Sequence, residues 1–346
     1  MNDTPPVKAT LQDVAREAGV SLATVDRVVN RRDGVRGQTA ARVEAALAKL
    51  GYRPDAAATR LARNLSFRFA FILPTGANTF MTNLGEQVGR TADWLASQRA
   101  FIDVVHVDVF DPDALAATLG SLSPAYHGVA TIALDHPKVR AAIDDLASRG
   151  VPVVTLVSDA PTSRRLHYVG IDNPAAGRTA ASLMGRFLRG RRGTVGVVAG
   201  SLVLRDHAER QFGFHQILSS EYPDLAPLPA VEGRDDNERT RSLTARLLAR
   251  QRDLVGLYSV GAGNRGIAAA LEESGRAREI VWIGHELTVH TRTLLLRGVI
   301  DAVINQDPGH EARSAARVLL AHCWGDPVMP DQERINIDIF LRDNLP

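Results

Sequence analysis

Asp206 and Arg210 stand four residues apart in RDHAERQFGF, just after the apolar run TVGVVAG. On a helix that spacing brings a carboxylate and a guanidinium onto one face. Such a pair can accept from and donate to neighbouring hydroxyls of one ring. Similar side chains recur where other apolar runs end. Asn78 and Phe80 follow FRFAFILP, Asp135 and His136 follow GVATIAL, and Ser158 and Asp159 follow VPVVTLV. Arg205 precedes the pair, Asn264 follows LVGLYSV, His285 and Glu286 close IVWIGHE, and Gln306 and Asp307 close IDAVINQD. Carboxylates, amides and guanidinium groups gathered at strand ends suit a sugar or polyol, with Phe80 as a stacking face. Arg205 and Arg210 would pair equally well with a carboxylated or phosphorylated ligand.

GAGNRG at 261–266 raises a different chemistry. It matches G-x-G-x-x-G, follows a strand and opens the helix IAAALEESG, with Glu286 where a ribose-binding acid would sit. That pattern reads as an NAD-dependent oxidoreductase. Only 80 residues follow Gly266, too few for a complete dinucleotide-binding domain. Glycines that admit a ligand or pack tightly are the favoured reading. The sequence holds no G-x-S-x-G elbow, Walker loop or H-E-x-x-H. His207 in RDHAER has no nucleophile or metal set beside it, so no catalysis, cofactor or metal is expected. Cys323, the single cysteine, excludes an internal disulfide framework and reads as a buried inert thiol on the helix face ARVLLAHCW.

From residue 67 short apolar strands alternate with amphipathic helices such as PAAGRTAASLMGRFL and HEARSAARVLLAHCW. Repeated βα units build parallel sheets covered on both faces. The strands suffice for two sheets, so two doubly wound α/β subdomains with a ligand cleft are expected. Ligands then lie off the carboxyl ends of the strands, where the polar residues above cluster.

The head is built differently. Thr10 can cap a helix over LQDVAREA, with Asp13 in the capping-box position. Leu11, Val14, Ala15 and Ala18 make one apolar face, Gly19 stops the helix and Ser21 caps the next. Val25, Val28 and Val29 turn inward, which leaves Ala23, Arg27 and Asn30 opposite, with Asp26 at the edge. A third helix, TAARVEAALAKL, turns Val43, Leu47 and Leu50 inward and stops at Gly51. Three short helices with a glycine turn form an all-α helix-turn-helix. The second helix and the basic loop NRRDGVRG suit a major groove flanked by phosphates. Charge agrees: residues 1–64 hold 11 Lys/Arg against 7 Asp/Glu, and the remainder 30 against 32. RPDAAATRLAR, residues 53–63, reads as a hinge helix too short to stand alone, ordered when paired with a second copy on DNA.

The net charge of +2, with 45% hydrophobic and 23% charged residues, is ordinary for a globular chain. No run reaches the roughly 18 apolar residues of a membrane span, and MNDTPPVKATLQD has no apolar export core. A cytoplasmic protein with no membrane partner is therefore expected. FLRDNLP carries no heptad pattern, so no tetramer-forming helix is expected there.

LQDVAREAGVSLATVDRVVN, followed by ARVEAALAKLGYRPDAAATRLAR, resembles the N-terminal domain of the LacI/GalR family of bacterial transcription regulators. The likeness runs from Thr10 to about Arg63 and includes the AGVS turn, the RVVN helix end and LGYRP. The body resembles the periplasmic sugar-binding proteins, as that family implies. The resemblance implies that Leu22, Ala23 and Arg27 read bases, within an interface of Thr10, Ser21, Thr24, Asn30, Arg36, Ala58 and Leu61. Ala58 would permit close hinge contact, and Leu61 would wedge into the minor groove. It lends weight to Asp206, Arg210, Glu286 and Gln306 among the ligand residues Asn78, Phe80, Asp135, Arg205 and Asn264. It departs from the family at Asp26, usually serine, at Asp55, usually asparagine, and at RDDNE (234–238), where many members place a stacking aromatic.

Subdomain crossings are implied near Gly170, Val303 and Met329. The expected domains are thus 1–52 for DNA, 53–66 for the hinge, 67–170 with 304–329, and 171–303 with 330–346. The expectation is a dimeric repressor of carbohydrate catabolism genes on a palindromic double-stranded operator. A sugar or polyol effector sets its affinity. A regulator answering to a sugar acid or phosphorylated ligand, and the oxidoreductase, are the alternatives.

Overall fold

The computed structural model describes residues 9–30, 32–52, 65–76, 78–261 and 263–346. Asp55, Ala58 and Leu61 lie outside the described residues. The chain divides into two compact units, Met1–Leu65 and Ser66–Pro346.

In the first unit, α1 (Leu11–Ala18), α2 (Leu22–Val29) and α3 (Gly37–Leu50) enclose a small core. Thr10 and Asp13 form a reciprocal capping box, and Gly19 ends α1 at φ 61°. That is a left-handed conformation which favours glycine. Val14, Val25 and Val43, one from each helix, are 0% exposed. On α3, Ala46 rather than Leu47 or Leu50 is buried with Val43, and the two leucines are half-buried. Arg42 closes the far end of α1, donating from Nη2 to the carbonyl oxygens of Ala18 (2.5 Å) and Gly19 (3.1 Å).

The body begins with β1 (Phe67–Pro74), α4 (Thr79–Ala96), β2 (Ala100–Val107), α5 (Pro112–Gly120), β3 (Gly128–Thr131), α6 (Pro137–Ser148), β4 (Val153–Leu156) and β5 (His167–Val169). These strands form a parallel sheet in the order β2–β1–β3–β4–β5. GVAT and VVTL are buried at every position, as strands covered on both faces must be. The second half comprises α7 (Asn173–Phe187), β6 (Gly193–Ala199), α8 (Arg205–Glu221), β7 (Leu225–Pro227), β8 (Val231–Glu232), α9 (Asn237–Arg250), β9 (Leu254–Ser259), α10 (Asn264–Glu273), β10 (Val281–His285), α11 (Val289–Arg297) and β11 (Ala302–Asn305). Helix α12 (Pro308–Trp324) returns to pack on α4 and the first sheet, and α13 (Pro330–Glu333) follows it. Finally β12 (Asp338–Phe340) joins the second sheet, ordered β12–β11–β10–β9–β6–β7 with β8 on β6. Its pairing to β11 is antiparallel, the exception among otherwise parallel ladders.

The chain crosses between sheets after β5, after β11 and after α13. The last crossing falls beyond Met329 because Glu333 accepts from Arg317 of α12 at 2.6 and 2.9 Å. That bidentate pair holds α13 on the first subdomain. Helices α7 and α8 approach closely because Gly177 and Gly213 face each other's backbone. A Cβ on Gly177 would lie 1.9 Å from the Arg210 carbonyl oxygen, and one on Gly213 2.1 Å from that of Pro174. This contact fixes the turn of α8 that carries Arg210.

Candidate ligand cleft and nucleic-acid interface

A cleft of about 190 Å3 opens at the carboxyl ends of the strands, between the two subdomains of the body. That is about six times the volume share of one water, so it suits a small molecule rather than a peptide. Asn78, Phe80, Asp206, Arg210, Asn264, Glu286 and Gln306 all line it. The first two come from the start of α4, the others from the second subdomain and the second crossing.

Arg210 is the hub. It is 1% exposed and donates from Nε to Asn173 Oδ1 (2.8 Å) and from Nη1 to the Val260 carbonyl oxygen (3.0 Å). Nη1 also lies 3.6 Å from Glu286 Oε1, which accepts from Gln306 Nε2 at 2.9 Å. Asn173 in turn donates to Tyr168 Oη, whose single hydroxyl proton is shared between the carbonyl oxygens of Val157 (2.9 Å) and Ile171 (3.2 Å). One network therefore joins the first crossing, at 168–173, to the second at Gln306. Burial pushes the Glu286 carboxyl up to about 7, opposed by Arg210 and the Gln306 hydrogen bond. Burial, then Arg210 and His207, hold His285 well below the ordinary histidine value, so its ring is neutral.

The structure leaves Asp135 and Arg205 out of this wall. Arg205 donates to Asp135 (2.8 Å) and to Glu209 (2.7 Å), which closes one subdomain against the other. Other strand-end residues also have local duties. His136 caps α6, Asp307 caps α12, and Asp159 is held by Arg165 and Thr155. His285, expected at a strand end, lines the cleft with His207, and Asp235 and His290 line it without having been assigned there from sequence. Asp235 Oδ2 accepts from Asn78 Nδ2 at 2.8 Å, a direct bond across the cleft. Asp235 and Glu286 have φ of 57° and 70°, and Val157 61°, so strained backbone gathers around one site.

In the head, Leu22, Ala23 and Arg27 stand exposed on one side of α2, while Val25 is buried. Ser21 caps α2 and its hydroxyl meets that of Thr24 at 2.9 Å. Arg36 is exposed at the start of α3. Asn30, expected on the reading side, folds back to donate to the Asp26 carbonyl oxygen (2.9 Å) and carboxylate (2.7 Å). Arg32 also reaches Asp26, at 3.3 Å. The Asp26 carboxylate is thereby held by its own helix and loop.

Residues 10–55 match the bacterial regulatory proteins of the lacI family, and residues 69–327 match the periplasmic binding protein domain. The chain carries a lacI-family regulatory domain at its head, and its body belongs to the periplasmic binding protein domain family. Catabolite control protein A of Streptococcus mutans is 30% identical over 181 residues, 51% of each chain. The same-named protein of Staphylococcus xylosus is 43% identical over 75 residues, 22% of this chain and 23% of that one. The match thus spans about half the length of the first relative and less of the second. Among solved structures, GanP, a glucose-galactose binding protein from Geobacillus stearothermophilus, superposes with TM-score 0.73 at 21% identity. It covers 82% of this chain and 100% of that one. A solute binding protein from Burkholderia graminis in complex with D-arabinose gives 0.74 at 23%, covering 80% and 96%. These two show the fold.

Within this chain the glycines of GAGNRG are consumed by packing. A Cβ on Gly261 would meet His207 Nε2 at 2.4 Å, and one on Gly266 the Asn237 carbonyl oxygen at 2.1 Å. Gly263, at φ 97°, starts α10 against Thr240. Cys323 is half-buried rather than buried, with burial raising its thiol to about 11. Among the described residues no helix is long and apolar enough to cross a membrane.

Proposed function

We propose that this regulator binds a palindromic operator as a homodimer and represses genes of carbohydrate catabolism, with a small polyhydroxylated effector in the cleft setting its affinity. The observation that carries the reading is the Arg210 network. Buried ligand-facing groups are hydrogen-bonded to both the first and second crossings, the segments about which two subdomains close. An effector that bridges Asn78 and Asp206 would favour the closed arrangement and bias whatever that arrangement favours at the hinges. The name shared by the relatives above supports a link to catabolite control. Arg27 on the outward side of α2 supports direct base contact, with Leu61 as the minor-groove wedge.

The anionic-effector reading loses support, because Arg205 is committed to Asp135 and Glu209. The packed glycines of GAGNRG support a non-enzymatic role over the oxidoreductase. Selection of duplexes from a random pool by the full chain tests the proposal. A two-fold symmetric site is expected to emerge; enrichment of unrelated sequences, or none, would overturn it.

A further inference from the structure

The polar atoms that the cleft leaves unpaired are mostly acceptors. Asp206 Oδ1, Asp235 Oδ1, Glu286 Oε2 and Gln306 Oε1 are buried with no hydrogen-bond partner among the described residues. Against them stand Arg210 Nη2, the Nε and Nη1 of that guanidinium being already bonded to Asn173 and Val260, and the ring nitrogens His285 Nδ1 and His290 Nε2, each donor or acceptor by tautomer. Asp206 is 4% exposed and Glu286 9%, so neither carboxylate is relieved by bulk water. Arg265, also on the wall, is exposed and screened at the rim.

A hydroxyl donates one hydrogen bond and can accept two, so a neutral polyol can donate to these acceptors but leaves their negative charge in place. An anion would bring more acceptors and more negative charge to the same atoms. An ammonium group brings three donors, no acceptor and the opposite charge. We propose that the effector is a polyhydroxylated amine, an amino sugar or aminocyclitol, whose ammonium sits against Asp206 and Glu286 while its hydroxyls meet Gln306, Asp235 and Arg210. This rests on the effector-binding reading of the cleft. Burial pushes Glu286 up to about 7, and an ammonium beside it would favour its ionised form.

The test is calorimetry on the full chain at pH 7.5 and fixed salt with matched probes. These are D-glucosamine, D-glucose, N-acetyl-D-glucosamine and D-glucuronate, the same four in the galactose series, and an aminocyclitol beside myo-inositol. At least one amine should bind tenfold or more tightly than its neutral parent and its N-acetyl form, about 1.4 kcal/mol. Asp206→Asn, which keeps shape and an acceptor but removes charge, should cut that ratio to about twofold or less. Thermal melting of the unliganded variant serves as the check on folding. If it melts well below the wild type, Glu286→Gln, the other carboxylate against the ammonium, must cut the ratio instead. A neutral sugar or uronate that binds as tightly as any amine overturns the amine proposal while leaving the cleft a sugar site. If no probe binds, and none alters affinity for the selected operator, both the amine proposal and the effector reading fail.

Discussion

Arg210→Met should destabilise the body unit by about 3–5 kcal/mol, the usual loss when one partner of a buried ion pair is removed. The side chain is 1% exposed, and methionine refills most of its volume, so the loss arises from polar groups rather than a cavity. Asn173 Oδ1 and the Val260 carbonyl oxygen each lose a donor held at 2.8 and 3.0 Å. Each orphaned acceptor costs about 1–3 kcal/mol, and the two share one cause, so they do not simply add. Glu286 loses the nearby cation at 3.6 Å and, already raised to about 7, takes up a proton, which caps its share. Urea unfolding of the full chain at pH 7.5, followed through the body transition, reads the loss. Glu286→Gln in the same background should recover part of it, with a coupling of about 0.5–3 kcal/mol. A loss below about 1 kcal/mol, or strict additivity of the two changes, would refute the hub.

Glu286, raised to about 7, and Glu311, raised well above the ordinary value by burial, bind protons more tightly folded than unfolded. Their linkage therefore makes stability fall as pH rises, for Glu286 between about 4.5 and 7. Glu311→Gln should gain stability relative to wild type as pH increases; parallel denaturation midpoints from pH 5 to 8 would contradict this. Arg27→Ala should weaken operator binding by about 1–3 kcal/mol at fixed salt while leaving non-specific binding nearly unchanged. Equal losses on both kinds of DNA would make Arg27 a phosphate contact. Leu61→Ala should reduce operator bending measured by energy transfer, and unchanged bending would return that residue to the linker.

The sheets were legible because GVAT and VVTL carry the unbroken apolar signature of strands covered on both faces. β12 was not, since two of its three residues are exposed and it pairs only as an antiparallel edge. At the cleft, the spacing of Asp206 and Arg210 was readable from helical geometry alone. The partners that make Arg210 a hub were not, because Asn173 and Val260 lie 37 and 50 residues away in sequence. Asp135 and Arg205 offered the same chemistry at the same kind of position, yet a contact spanning 70 residues pairs them with each other. Asp235 was visible only as a missing aromatic; its left-handed backbone, which aims it at Asn78, leaves no periodic trace. Asn30 shows the limit of helical projection. Its position faces outward, but a helix-end asparagine finds its own backbone first.

The central claim is that occupancy of the cleft sets affinity for DNA. Fluorescence anisotropy on the selected operator, with and without a saturating cleft ligand identified by calorimetry, measures it directly. The wild type should shift its operator affinity by at least fivefold, the lower range of allosteric coupling. Asp206→Ala should bind the operator as the free wild type does and shift little at the same ligand concentration. Equal operator affinity in the liganded and free wild type would contradict the account.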